Sequence, residues 1–130
     1  MLAISKETTY SLRLLLFLAK NKGSWKLEEV TRQEKLPYKY LSRLVLVLKK
    51  AGLIYSKTGR NGGYKLGKRP SEITIKDVLV LFERQKGVVT CLKEGKKCMV
   101  KDCLQRPVWQ ILEKKLLKEA GKIRLKDLIK

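Results

Sequence analysis

The fold is decided by residues 27–66, LEEVTRQEKLPYKYLSRLVLVLKKAGLIYSKTGRNGGYKL. The first part of this stretch predicts two helices, because its apolar residues recur three and four positions apart. In the second part, residues 53–57 and 64–66 show the alternating pattern of two paired strands, and a glycine-rich tip lies between them. A helical pair followed by a basic hairpin is the outline of a winged helix-turn-helix, which makes DNA binding the first hypothesis.

The first helix of the pair is predicted over residues 25–34, and Lys35 and Leu36 turn the chain. The second helix is predicted over residues 37–51, with Pro37 at its first position, where a missing amide donor costs nothing. Gly52 is expected to end it, as glycine does just past a last helical turn. A helical period marks the residues expected in the core: Leu41, Leu44, Val45 and Leu48.

The second helix is the candidate recognition helix, since the first turns of such a helix reach base edges in the major groove. Tyr38, Lys39, Ser42 and Arg43 lie on the face of those turns that points away from the predicted core. Lys39 and Arg43 are the best candidates for guanine or phosphate contacts, and Tyr40 is interpreted as packing on the sugar-phosphate backbone. The alternative is an ordinary solvated helix face.

The hairpin tip is the candidate wing. Gly59, Gly62 and Gly63 are predicted to supply positive φ in the tight loop. Arg60 is predicted to project from the tip into a narrow minor groove, where concentrated negative potential attracts guanidinium. Lys57, with Lys65 and Lys68, is expected to meet phosphates. The alternative for Arg60 is an ordinary exposed turn residue.

The charge balance supports a polyanion as partner. Lysine and arginine total 31 against 12 acids, a net charge of +19, which exceeds what solubility needs. No apolar run approaches the roughly 18 residues of a membrane span, and the start does not resemble a signal peptide. A cytoplasmic protein with reduced thiols is therefore predicted. Enzymatic activity is not predicted, because the chain has no histidine and no phosphate-binding loop.

Further helices are predicted on both sides of the central stretch. The first spans residues 5–20, is capped by Ser5 or Thr8, and is apolar on two sides, which predicts contacts beyond its own domain. Another runs from 75 to about 84, with Thr74 as its capping residue. A long helix over 104–119 precedes a short one over 123–129. The long helix repeats Val108, Ile111, Leu112, Lys115 and Leu116 at helical spacing, so a second chain is expected to cover that stripe.

All three cysteines lie in one polar segment, as Cys91-x6-Cys98-x4-Cys103. Buried structural cysteines usually stand singly on apolar faces, whereas this grouping favours a shared ligand. Neighbouring lysines lower thiolate pKa and so favour either metal binding or oxidation. Three thiolates suit an iron–sulfur cluster or zinc, although each normally takes four ligands. Three uninvolved thiols, or a redox pair, are the alternatives.

Taken together, the chain resembles the Rrf-two family of winged-helix transcriptional regulators over nearly all 130 residues. The resemblance is carried by IS at 4–5, YSLR at 10–13, YL at 40–41, LKKAGL at 48–53, GRNGGYKL at 59–66, and CL at 103–104 followed by Trp109.

The resemblance implies a homodimer that is held by the long helix after the third cysteine and binds a palindromic DNA operator. It also implies that Cys91, Cys98 and Cys103 hold a two-iron or four-iron cluster whose state sets operator affinity. The family's spacing is commonly nearer x5 and x5, so the middle thiol is displaced by one residue here.

The fourth ligand departs from the family. Some members use a histidine three residues after the third cysteine, where this chain has Arg106, which cannot ligate iron. Others use a carboxylate from the first helix of the partner subunit, where this chain has Thr9, with Glu7 nearby. Glu7 from the other chain, Glu94, Asp102, a backbone group or a small molecule are all open.

The predicted fold is mainly α with a small β-hairpin: a winged helix-turn-helix plus a C-terminal dimerisation helix. Its predicted parts are residues 1–85 as the winged helix-turn-helix DNA-binding domain, 86–103 as a three-cysteine sensor loop, and 104–130 as the dimerisation helix and a C-terminal segment. The predicted function is a sequence-specific transcriptional regulator, a repressor, whose operator affinity is controlled by an iron–sulfur cluster. One alternative is a cluster-free member controlled by thiol oxidation or a partner protein. The other is a basic nucleic-acid-binding module without sequence preference.

Overall fold

The computed structural model describes residues 3–83, 87, 100–101 and 103–129 of the chain. Within these residues the order of elements is α1 (Lys6–Lys20), α2 (Leu27–Glu34), α3 (Tyr38–Lys50), β1 (Ile54–Lys57), β2 (Gly63–Leu66), α4 (Ile75–Phe82), α5 (Arg106–Ala120) and α6 (Leu125–Leu128). The two strands are antiparallel, with Ile54 opposite Leu66 and Lys57 opposite Gly63. The fold predicted from the sequence, mainly helical with one hairpin, is confirmed.

The helix ends follow local capping chemistry. The hydroxyl of Ser5 accepts a hydrogen bond from the Thr8 amide, which confirms Ser5 as the cap of α1. Thr74 and Asp77 form a reciprocal capping box at the start of α4. Pro37 is the residue before α3 and not its first helical residue. Gly52 ends α3 with φ of 79°, a conformation that disfavours a Cβ.

The core is built around α1 and α3. In α3 all four predicted core residues are buried: Leu41, Leu44, Val45 and Leu48. In α1 the more deeply buried side is formed by Leu14, Leu15, Phe17 and Leu18, while Leu12, Leu16 and Ala19 are only partly buried against the same core. Helices α2, α3, α4 and α6 and strand β2 all contact α1. Packing within the chain accounts for much of the apolar character of α1, and its contact with a second subunit stays a prediction.

The end of the chain joins this same core. Leu125 of α6 is fully buried. The extended segment before α6 pairs with the segment before α4, because the Ile75 amide donates to the Ile123 carbonyl (2.9 Å) and the Leu125 amide donates to the Ile73 carbonyl (3.0 Å). The segment after α5 thus joins the core of the winged domain through Leu125, while Ile123 and Leu128 stay exposed.

Helix α5 leaves its apolar stripe uncovered. Val108, Ile111, Leu112 and Leu116 are all exposed, and Ile111 retains 54% of its accessible surface. Ala120, at the end of the helix, is the buried residue of α5. The predicted stripe therefore lies on the surface of a single chain.

The wing depends on close backbone approach at its glycines. Gly63 has φ of 140°, and a Cβ placed there would lie 2.5 Å from the Trp25 carbonyl oxygen. Gly59 has φ of 101° with open space around it. The prediction of positive φ was wrong for Gly62, which is required for a different reason: a Cβ would lie 2.3 Å from the Lys57 carbonyl oxygen.

Gly63→Ala is expected to lower the free energy of unfolding by about 2 kcal/mol, because it adds a backbone clash to the strain of positive φ. Gly59→Ala is the matched control, since it meets the strain without the clash and should cost about 1 kcal/mol. Chemical denaturation of both variants measures the difference. Equal losses would show that the approach of β2 to Trp25 is not tight in solution.

Candidate DNA interface and sensor segment

The exposed face of α3 carries the predicted DNA contacts. Lys39 and Arg43 are exposed on the side opposite the buried leucines, one helical turn apart. Ser42 is half-buried, and its hydroxyl donates to the Lys39 carbonyl oxygen at 2.7 Å. Tyr38 is 46% exposed at the start of the helix, with its hydroxyl 3.5 Å from a Glu28 carboxylate oxygen. The arrangement presents two cations and two hydroxyls on one surface.

Tyr40 occupies a different environment from its neighbours. Its ring is half-buried and meets the Tyr10 ring edge to face, with centroids 5.5 Å apart. Its hydroxyl donates to the Glu7 carboxylate at 2.7 Å, and the Arg43 guanidinium lies 5.9 Å from its ring centroid. The Glu7 hydrogen bond, followed by burial, raises the pKa of Tyr40 to about 12. Tyr40 therefore joins α1 to α3 and lies beside Arg43, a role that the sequence did not predict, and its packing on the sugar-phosphate backbone of DNA stays a prediction.

Tyr40→Phe is expected to lower the free energy of unfolding by about 1 kcal/mol, since it leaves the half-buried Glu7 carboxylate without that donor. Because the folded state raises the pKa of Tyr40 from about 10 to about 12, the wild-type advantage is complete below pH 10. It is lost as pH rises through about 12. Urea unfolding at neutral and alkaline pH checks this.

Glu7→Gln is the matched variant, because the amide oxygen keeps an acceptor for the Tyr40 hydroxyl while the charge is removed. The highest tyrosine pKa, followed by ultraviolet absorbance of tyrosinate, should fall in this variant. An unchanged titration would mean that Glu7 does not control Tyr40.

The wing places further cations on the surface. Lys57, at the end of β1, and Arg60, at the tip, are both exposed. Lys65 on β2 lies over the Tyr55 ring, 5.3 Å from its centroid. The described ion pairs are Arg13–Glu34, Arg69–Glu72 and Lys122–Glu119, so none of these pairs uses a predicted DNA-contacting cation.

The base of the wing is fixed by a contact that the sequence analysis did not predict. Trp25 and Tyr64 exchange two backbone hydrogen bonds, of 2.9 and 2.7 Å. The Trp25 ring packs edge to face on Phe17 at 5.1 Å. Trp25 was predicted to begin the first helix of the pair, but α2 starts at Leu27, because residue 25 is extended against β2. This bridge holds the wing against the helical core.

Part of the predicted sensor segment lies outside the described residues, including Cys91, Cys98, Glu94 and Asp102. Cys103 is a half-buried free thiol, three residues before α5 begins at Arg106. In the part of the chain that the structure describes, no three histidine, cysteine or acidic side chains are grouped to hold a metal ion. Of the proposed fourth ligands, Glu7 is described, and its carboxylate accepts the Tyr40 hydroxyl.

A hydrogen-bonded carboxylate, that of Glu83, lies at the end of α4, where the chain continues into the cysteine segment. One carboxylate oxygen of Glu83 accepts hydrogen bonds from the Ser5 amide at 2.9 Å, the Thr8 hydroxyl at 2.7 Å and the Ser5 hydroxyl. These contacts join the start of α1 to the end of α4. No local pattern in the sequence points to Glu83, because its partners lie more than 70 residues away.

None of the described helices is both long and apolar enough to cross a membrane.

Comparison with known proteins gives concordant results. Residues 4–130 match the family profile described as Rrf2, Iron-dependent Transcriptional regulator. The chain is 30% identical to Protein rrf2 of Nitratidesulfovibrio vulgaris over 131 residues, covering 98% of this chain and 87% of that protein. Among solved structures it is similar to T. potens IscR, with a TM-score of 0.78, 26% identity and coverage of 98% and 85%. It is also similar to CymR, the global cysteine regulator of B. subtilis, with a TM-score of 0.77, 29% identity and coverage of 98% and 96%.

Proposed function

Because the chain belongs to the Rrf2 family of helix-turn-helix transcriptional regulators, a family of regulators and not of enzymes, we propose that it represses transcription by binding a palindromic operator as a homodimer. The observation that carries the proposal is the pair of cations, Lys39 and Arg43, on the exposed face of α3 beside a basic wing. An α-helix fits the major groove, and arginine or lysine pairs there with the two acceptors of guanine.

Each proposed contact residue has a separate role. Lys39 and Arg43 read base edges or phosphates, while Tyr38 and Ser42 place hydroxyls beside them. Tyr40, which packs between α1 and α3, holds Arg43 in position. Arg60 enters the minor groove, and Lys57 contacts phosphate, which adds affinity without sequence information.

The homodimer is proposed to form through α5. Its exposed stripe of Val108, Ile111, Leu112 and Leu116 repeats at helical spacing, and a second copy of the same stripe is self-complementary about a two-fold axis. A dimer places two copies of α3 on one face, which matches a palindromic operator. Sedimentation of the purified protein tests this, and a stable monomer would contradict it.

The sensor is proposed to be an iron–sulfur cluster on Cys91, Cys98 and Cys103, with two or four irons and an unassigned fourth ligand. Thiolates are the ordinary donors to such clusters, and the three thiols lie within 13 residues of one segment. When bound, a cluster supplies a redox-sensitive and oxygen-sensitive cross-link between these thiols.

Coupling to DNA is proposed to run through the two ends of the cysteine segment. One end leaves α4 at Glu83, which bonds Ser5 and Thr8 of the α1 start, and the other enters α5 shortly after Cys103. A rearrangement of the cysteine segment would shift the positions of α4 and α5. That shift would change the spacing between the two α3 helices of the dimer. Equal operator affinity before and after removal of the cluster would rule this out.

Sequence-specific binding is tested by competition. A duplex selected from a random library by the protein should be displaced at least about 1,000-fold less effectively by scrambled DNA of the same composition. Equal competition would identify a basic module without sequence preference. The net charge of +19 alone would give that result.

The second candidate is a cluster-free regulator controlled by thiol oxidation or by a partner protein. Arg106 at the position of a possible ligand favours it, as does the similarity to CymR. The absorbance spectrum of anaerobically purified protein separates the two. Iron–sulfur charge-transfer bands support the cluster, and a colourless, iron-free protein that still responds to oxidants supports the thiol mechanism.

A further inference from the structure

Helix α3 carries a large apolar side chain where the fold does not need one. Leu46 keeps 67% of its accessible surface, whereas the four core residues of the helix, Leu41, Leu44, Val45 and Leu48, keep 6% or less. Removing Leu46 from α3 would leave the packing of these core residues unchanged. The side chain therefore has no role in the core of this chain.

Leu46 lies within the stripe that faces away from the core. Lys39, Arg43, Leu46 and Lys50 follow one another at intervals of four, three and four residues, the spacing of one helix face, and all four are exposed. Leu46 is three positions after Arg43, a rise of roughly 4.5 Å along the helix axis. That separation is on the order of one base step of B-DNA. If Arg43 reaches one base pair, Leu46 is placed over the next.

We propose that Leu46 contacts the 5-methyl group of a thymine in the major groove and makes α3 select thymine at that position. The proposal rests on the proposed function, since it requires α3 to lie in the groove. The thymine methyl is the apolar group that the major-groove edges present, and an aliphatic side chain is the chemistry that recognises it. Contact would remove both surfaces from water.

The surroundings of Leu46 favour DNA over another protein as the occupant of this face. Lys39, Arg43, Lys49 and Lys50 are the exposed charged residues of α3, and all are cationic. A second copy of this chain carries the same +19 charge, so bringing two such faces together would place like charges opposite one another. A DNA duplex supplies phosphates for the cations and a methyl group for the leucine.

The experiment uses the full-length protein and an operator selected by it from a random duplex library. Each thymidine of that operator is replaced singly by deoxyuridine, which removes the methyl group and keeps base pairing. At one thymine in each half-site, the replacement should weaken wild-type binding about fourfold, the expected effect of one buried methyl group. Insensitivity at every thymine would overturn the proposal without touching the proposed function, whereas failure of the selection to enrich any sequence would overturn both.

Leu46→Ala identifies the residue that reads the methyl group. This variant should bind the thymidine operator about fourfold more weakly per half-site and should show no further loss with deoxyuridine. Leu128→Ala is the matched control, since it truncates an exposed leucine on α6, and it should keep the wild-type sensitivity. If Leu46→Ala keeps that sensitivity, or instead changes the oligomeric state, the proposal is wrong. The deoxyuridine scan of the wild type needs no variant and tests the methyl contact by itself.

Discussion

Replacement of both Lys39 and Arg43 by alanine is expected to weaken operator binding roughly 1,000-fold, the largest effect that we expect from surface substitutions. Each cation that pairs with base acceptors is worth about 1–3 kcal/mol, and the two together about 4 kcal/mol. Both side chains are exposed and absent from the described ion pairs, so the fold should be unaffected. Fluorescence anisotropy with labelled operator measures the affinity, and thermal unfolding confirms the fold.

The matched control is the double variant Lys20→Ala and Lys22→Ala, which removes the same two charges from exposed positions at and just after the end of α1, away from the proposed dimer helix. Its operator affinity should fall only slightly, because long-range attraction to DNA is screened at physiological salt. Comparable losses in the two double variants would mean that net charge, and not the face of α3, determines binding.

Cys98→Ala is expected to abolish iron–sulfur absorption after anaerobic reconstitution with iron and sulfide, and to reduce bound iron to background. Removal of the middle thiol leaves two of three protein sulfurs for a cluster that normally takes four ligands. Operator affinity should then no longer change on exposure to oxygen. Absorbance, iron content and anisotropy on the same sample give the three measurements.

Met99→Ala provides the neighbouring control, because it removes a thioether that is not a thiolate donor, and it should stay coloured. A Cys98→Ala protein that remains brown would exclude Cys98 from the ligand set. A colourless wild type would instead favour the cluster-free regulator, and the oxygen response would then be assigned to thiol chemistry.

Local patterns in the sequence were enough to predict the helices and the hairpin. The helical period of Leu41, Leu44, Val45 and Leu48, the Ser5 and Thr74 caps and the glycine after α3 each depend on residues within a few positions. The cationic face of α3 followed from the same period. Membership of the Rrf2 family is confirmed, and the individual DNA contacts, the homodimer and the cluster ligands stay predictions.

The contacts that the sequence does not predict join residues that are distant in the chain. Trp25 reads as the start of a helix, but its backbone pairs with Tyr64. Tyr40 is predicted to pack on the sugar-phosphate backbone of DNA, and the sequence does not reveal its contacts with Glu7 and Tyr10. No local signal encodes either contact, because each forms only after the helices have packed.

By itself, then, the sequence determined which segments are helical, which face of α3 is cationic, and which family the chain resembles. The tertiary structure decided that Leu125 is buried in the core, that Glu83 joins α4 to α1, and that Leu46 remains exposed between cations. The physical reason is the range of the interactions. The spacing of apolar residues along a helix and the capping of its ends depend on residues within one or two helical turns. Burial and hydrogen bonding between elements depend instead on how the whole chain packs.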